Sequence, residues 1–128
     1  MDIFMAARKN NKEYILDYIK NKYDLNVQDQ NGMTPLMHAV DYDNIEIVKM
    51  LIDTKANINL TDKYDQTAIM LASGRGLINI TKLLLESKAD LSKRAISGAT
   101  ALDFASENGK IEVEKLLRSK GAKPGSKK

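Results

Sequence analysis

Apolar residues recur along this chain in two alternating kinds of block. At Leu36, Ala39 and Val40 they fall three and four apart, as one buried face of a helix requires. At Ile47, Val48, Leu51 and Ile52 they form an i, i+1, i+4, i+5 stripe, the mark of a second amphipathic helix. The pattern predicts a first helix over about 35–42, 68–75 and 101–108 and a second over about 45–54, 78–87 and 111–120. Thr34, Thr67 and Thr100 stand where an N-cap belongs, with hydroxyls able to accept from free backbone N–H groups, and Pro35 fills a first helical position. Asp103, three residues after Thr100, suits a capping box. Gly76 and Gly109 end the first helices, and Asp29-Gln-Asn-Gly32 supplies turn chemistry between blocks.

These blocks repeat. The segments Thr34-Pro-Leu-Met-His-Ala-Val, Thr67-Ala-Ile-Met-Leu-Ala-Ser and Thr100-Ala-Leu-Asp-Phe-Ala-Ser follow one another at 33 residues without insertion or deletion. The same register returns Ile47, Ile80 and Val113; then Lys49, Lys82 and Lys115; then Leu51, Leu84 and Leu117; and finally Ala56, Ala89 and Ala122. Ile3-Phe-Met-Ala-Ala7 and Asp24-Leu-Asn26 fit the frame as an incomplete opening unit. The expected organisation is one repeat domain over residues 1–124, in units of about 1–28, 29–61, 62–94 and 95–124, followed by a basic, disordered tail at 125–128.

The pattern resembles the ankyrin repeat, whose unit carries D-x-x-G-x-T-P-L-H-x-A-A, then G-H-x-x-I-V-x-x-L-L, then G-A-D-V-N. Asp29, Gly32, Thr34-Pro35-Leu36, Ala39, Ile47-Val48, Leu51, Ala56 and Asn59 match it in the second unit. The third unit matches at Asp62, Thr67, Ala72, Gly76, Ile80, Leu84 and Ala89-Asp90. The resemblance implies an all-α solenoid of stacked helix-turn-helix units with β-turn or hairpin loops. Its function would be that of a non-catalytic protein–protein interaction module. Departures lie at the motif histidine (Met37, Met70, Asp103), at the glycine before Ala-Asp (Lys22, Lys55, Lys88) and at a turn glycine (Asp65). A side chain forced into left-handed backbone costs roughly 1 kcal/mol, so the array is expected to be less stable than it could be. Polar residues at both ends, Asp17 at one and the Glu114/Arg118 i, i+4 pair at the other, suit caps that face water. They lead to the expectation of a complete small protein.

Composition then narrows the chemistry. The chain has 128 residues, no cysteine and a single histidine, so thiolate chemistry, disulfides and finger-type zinc sites are excluded. His38 falls on a first-helix position held by Leu71 and Phe104 in later units and is read as a packing residue. No phosphate-binding loop or nucleophile elbow occurs, and no enzyme activity, cofactor or metal is expected. The net charge of +3 would point to nucleic acid, but the last eleven residues alone carry five cations and no acid, which leaves the first 117 at −2. Nucleic-acid or anionic-surface binding through that C-terminal tail is the alternative function. Charges at Asp2, Arg8 and Lys9 break any signal peptide and no apolar run is long enough to span a bilayer, so a cytoplasmic address is expected. A pathogen or symbiont source would instead suit a secreted, host-directed effector.

In this architecture the residues free to serve a partner are the turn tips and the exposed side of the first helices, which line a concave groove. Mapped by unit, these include Gln28, Gln30, Asn31, Met33, Asp41 and Tyr42; then Lys63, Tyr64, Gln66 and Arg75; then Arg94, Ile96, Ser97, Glu107 and Asn108. Tyrosine and arginine are common interface anchors, and a Met or Ile at a tip has no obvious core to join. The expected binding set is Met33, Tyr42, Lys63, Tyr64, Gln66, Arg75, Arg94, Ile96 and Asn108 on a monomer, with a protein as partner.

Overall fold

A computed structural model describes residues 1–125. Eight helices follow in pairs: α1 (Ile3–Arg8) and α2 (Lys12–Lys20), α3 (Pro35–Asp41) and α4 (Ile45–Asp53), α5 (Ala68–Arg75) and α6 (Ile78–Glu86), α7 (Ala101–Glu107) and α8 (Ile111–Ser119). The predicted boundaries hold to within a residue in the three full units. No strand occurs among the described residues, although each tip closes as a hairpin through pairs such as Asp29 N–H to Met33 O at 3.0 Å.

The helices form two parallel rows. α1, α3, α5 and α7 make the inner row, and α2, α4, α6 and α8 make the outer row. The inner row packs more closely, and the reason is one side chain: Ala6, Ala39, Ala72 and Ala105 hold the same register and are wholly buried. A methyl group lets neighbouring helices approach. The outer row is spaced by the larger Ile15, Val48 and Thr81 and by Ile47, Ile80 and Val113, with Leu51, Leu84 and Leu117 filling the space beneath. An inner row tighter than the outer one curves the stack and leaves the tips on its concave side.

The threonine caps act as expected: Thr34, Thr67 and Thr100 accept from the N–H groups of Met37, Met70 and Asp103. All eight helices end alike. An N–H two or three residues past the last helical residue returns to the carbonyl five residues before it, as in Asn11 to Ala6, Tyr23 to Tyr18, Ala56 to Leu51 and Ala122 to Leu117. This closure needs a left-handed residue just before it. The positions are Asn10, Asp43, Gly76 and Gly109 for the inner row and Lys22, Lys55, Lys88 and Gly121 for the outer row, all with φ between 56° and 89°. Gly32, Asp65 and Gly98 are the left-handed residues of the tips. Lys22, Lys55, Lys88 and Asp65 therefore adopt the backbone expected of them. Asn10 and Asp43 are further strained positions.

At the C-terminal end, the polar face appears as the Arg118 Nη2 to Glu114 Oε2 pair at 3.2 Å. Gly125 is held by the body, its N–H donating to the buried Asp103 carboxylate at 2.7 Å. The remainder of the expected tail, residues 126–128, lies outside the described residues. No helix among the described residues is long and apolar enough to cross a membrane.

Candidate interaction surface

Each tip is built by an aspartate that folds its own loop. Asp29 Oδ1 accepts from Asn31 and Met33, and Asp62 Oδ1 accepts from Tyr64 and Gln66, all at 2.9 Å. The third tip has Ala95 in that place, and Ser97 Oγ takes over part of the work by accepting from Ala99 at 3.3 Å. Successive tips are then joined by backbone: Lys63 N–H donates to Asn31 O at 2.9 Å and Ile96 N–H donates to Tyr64 O at 3.0 Å. At the base of the units Asn26 Oδ1 accepts from Asn57 and Asn59 Oδ1 accepts from Asp90, each at 2.8 Å. The Gln28 amide donates to both Gly32 O and Thr61 O. The tips are consequently held in register before any partner arrives.

Behind the first tip, Asp29 Oδ2 meets His38 Nε2 at 2.8 Å, and the buried His38 ring rests edge-on to Phe4. Burial raises the Asp29 pKa, but the hydrogen bond from His38 and those from the N–H groups of Met33 and Asn31 together outweigh it, and the carboxyl ends below its ordinary value. His38 is thus a structural partner of the tip aspartate, in keeping with its reading as a packing residue.

The exposed side chains gather in two places. On the tips, Lys63 Nζ lies 5.1 Å from the centre of the Tyr64 ring and donates to Asn31 Oδ1, with Ile96 alongside on the next tip. At the other end of the inner helices, about 12 Å away along an eight-residue helix, Arg75 Nη1 binds Asp41 Oδ1 at 2.9 Å and lines a recess with Tyr42, Asp43 and Leu77. Asn108 belongs to this end; its amide donates to Phe104 O and lies close to Gly74. Tyr42, Tyr64 and Ile96 are 56%, 52% and 69% exposed, unusual for side chains of this size.

Three expected residues sit differently. Met33 is half-buried against the core, because the closure between residues 29 and 33 turns its side chain inward. Gln66, at the same register, is also half-buried. Arg94 stands at the base of the third tip: it holds the register of Gln28 and lines a recess with Lys120 and Lys123 of the returning segment. Leu16 and Tyr23, outside the expected set, are 52% and 59% exposed on the first unit, with Tyr23 edge-on to Tyr18. The repeat frame carries the signal for both, since Leu16 stands where the other units have Lys49, Lys82 and Lys115, and Tyr23 stands where they have alanine.

Comparison with the curated proteins finds no match. The family model for ankyrin repeats, which spans three copies, matches residues 3–95 and, in a second register, 55–128. With the paired helices, threonine caps and tip hairpins described above, the chain belongs to the ankyrin-repeat family.

Proposed function

We propose that the chain is a non-catalytic interaction module that takes a protein partner along its concave face, with Tyr64, Lys63 and Ile96 on the tips and Tyr42, Arg75 and Asn108 at the helix ends. The observation that carries this reading is the exposure of Tyr42, Tyr64 and Ile96 on a face whose tips are already bonded to one another. Large side chains carried on a backbone already ordered before binding lose less freedom on contact, which favours them as anchors. The ion pair of Arg75 with Asp41 tethers one guanidinium nitrogen while leaving the side chain more than half exposed. Ankyrin repeats generally bind proteins, which agrees with this use of the surface.

The test is capture from the source organism, comparing the native chain with the Tyr42→Ala, Tyr64→Ala, Arg75→Ala triple variant. A photoreactive residue placed at Ile96, and at the outward-facing Lys49 as control, shows which side is contacted. Loss of the captured protein in the triple variant with crosslinking only from position 96 is the expected result. An unchanged captured set, or crosslinking from position 49 alone, refutes the assignment.

A further inference from the structure

The C-terminal half of the stack carries a basic band that the concave surface does not explain. Two neighbouring recesses share Lys120. One, of about 340 Å³, is lined by Arg94, Lys120 and Lys123 with Leu91 and Pro124. The other, of about 490 Å³, is lined by Lys82, Lys88 and Lys120 with Leu85 and Leu116, and Glu86 is the only acid in either lining. None of these five cations takes part in the four ion pairs found among the described residues. The first 117 residues sum to −2, yet three of their cations, Lys82, Lys88 and Arg94, line these recesses beside Lys120 and Lys123 from the C-terminal segment.

We propose that this band is a second binding site, for an acidic peptide segment with interspersed apolar residues. Charge complementarity supplies the first argument: five cations within two adjoining recesses attract carboxylates over about a Debye length, roughly 8 Å at physiological salt. The walls supply the second. Leu85, Leu91 and Leu116 are half-buried between the cations, which gives apolar side chains of a peptide somewhere to go. A nucleic acid strand finds no aromatic side chain in either lining on which to stack a base. The site is separate from the groove and stands whether or not the concave reading does.

The experiment measures fluorescence anisotropy of a labelled peptide of about twelve residues, mostly glutamate with leucine at every fourth position, with the full chain. Competing probes are an oligothymidylate of equal charge and vesicles containing phosphatidylserine. Lys82→Glu with Lys120→Glu is expected to weaken peptide binding at least about tenfold, while Lys127→Gln with Lys128→Gln and the groove triple variant leave it unchanged. Helical circular dichroism checks that the reversed variant folds, and Lys82→Gln with Lys120→Gln serves in its place if it does not. The proposal is overturned if binding survives loss of both lysines, if it follows Lys127 and Lys128 or the groove residues, or if either competing probe binds more tightly than the peptide.

Discussion

Replacing Lys22, Lys55 and Lys88 with glycine should stabilise the protein, and the amount follows from the backbone. These residues have φ of 58°, 70° and 69°, and their N–H groups donate to Ile19, Ile52 and Leu85. The left-handed conformation costs a residue with a Cβ about 1–2 kcal/mol. Glycine removes that strain but is freer in the unfolded chain, which returns roughly 0.5–1 kcal/mol. The net gain is about 0.5–1 kcal/mol per site, and with one site in each of three units the effects should add to roughly 2 kcal/mol. All three lysine side chains are exposed and make no ion pair among the described residues, so little else is lost. The fourth outer helix already ends on Gly121, with φ of 89°, and serves as an internal standard. Thermal unfolding followed by circular dichroism at 222 nm, a general helix wavelength, should show the midpoint rising by about 5–10 °C for the triple variant. Lys49→Gly, in the middle of α4, should lower stability by about 1 kcal/mol and controls for the loss of a lysine. A triple variant that melts at or below the native midpoint would refute the claim that strain at these helix ends is unrelieved.

Thr81→Val should raise stability by about 1 kcal/mol in urea unfolding, because its buried hydroxyl has no hydrogen-bond partner and the equivalent Val48 is equally buried. Gly32→Ala should lower it by about 2 kcal/mol or more, since a Cβ there would stand 2.8 Å from Lys63 N in left-handed backbone; an unchanged midpoint argues against the tip-to-tip contact. The Asp29 carboxyl has a folded pKa below its unfolded value, so its contribution is present above the unfolded value and fades as pH falls through the folded one. Asp29→Asn should therefore flatten the acid limb of the stability profile below about pH 4 and leave its slope at neutral pH unaltered.

Most of the fold was legible because it is periodic. One unit read well gives the rest, and the cap residues Thr34, Thr67 and Thr100 fixed the helix starts to a residue. The strained positions Asn10 and Asp43 carry no turn signal as strong as glycine, and only Gly76 and Gly109 at the same register announce the left-handed geometry. The surface was read less completely for a different reason. Whether a tip residue points out depends on how its loop closes, and Met33 is turned inward by hydrogen bonds that Asp29 directs. Arg94 adjoins the third tip in sequence, yet its side chain lines a recess with Lys120 and Lys123 of the returning segment. Such neighbours come from the third dimension, which a periodic sequence reveals only for positions that repeat.

The four buried alanines of the inner row have a consequence for reach. Each unit touches only its neighbours, so a change in thickness at one alanine tilts every unit beyond it as a rigid lever. The separation of Asn31 from Ile96 is then the outcome of two small angles compounded, one set between Ala39 and Ala72 and the other between Ala72 and Ala105. A single added methylene at Ala72 acts on both angles, whereas one at Ala6 leaves that separation alone and moves only the opening unit. The gauge of the groove, the span it can grip, is thus set from inside by the smallest side chains in the stack, while the residues that would meet a partner remain free to change.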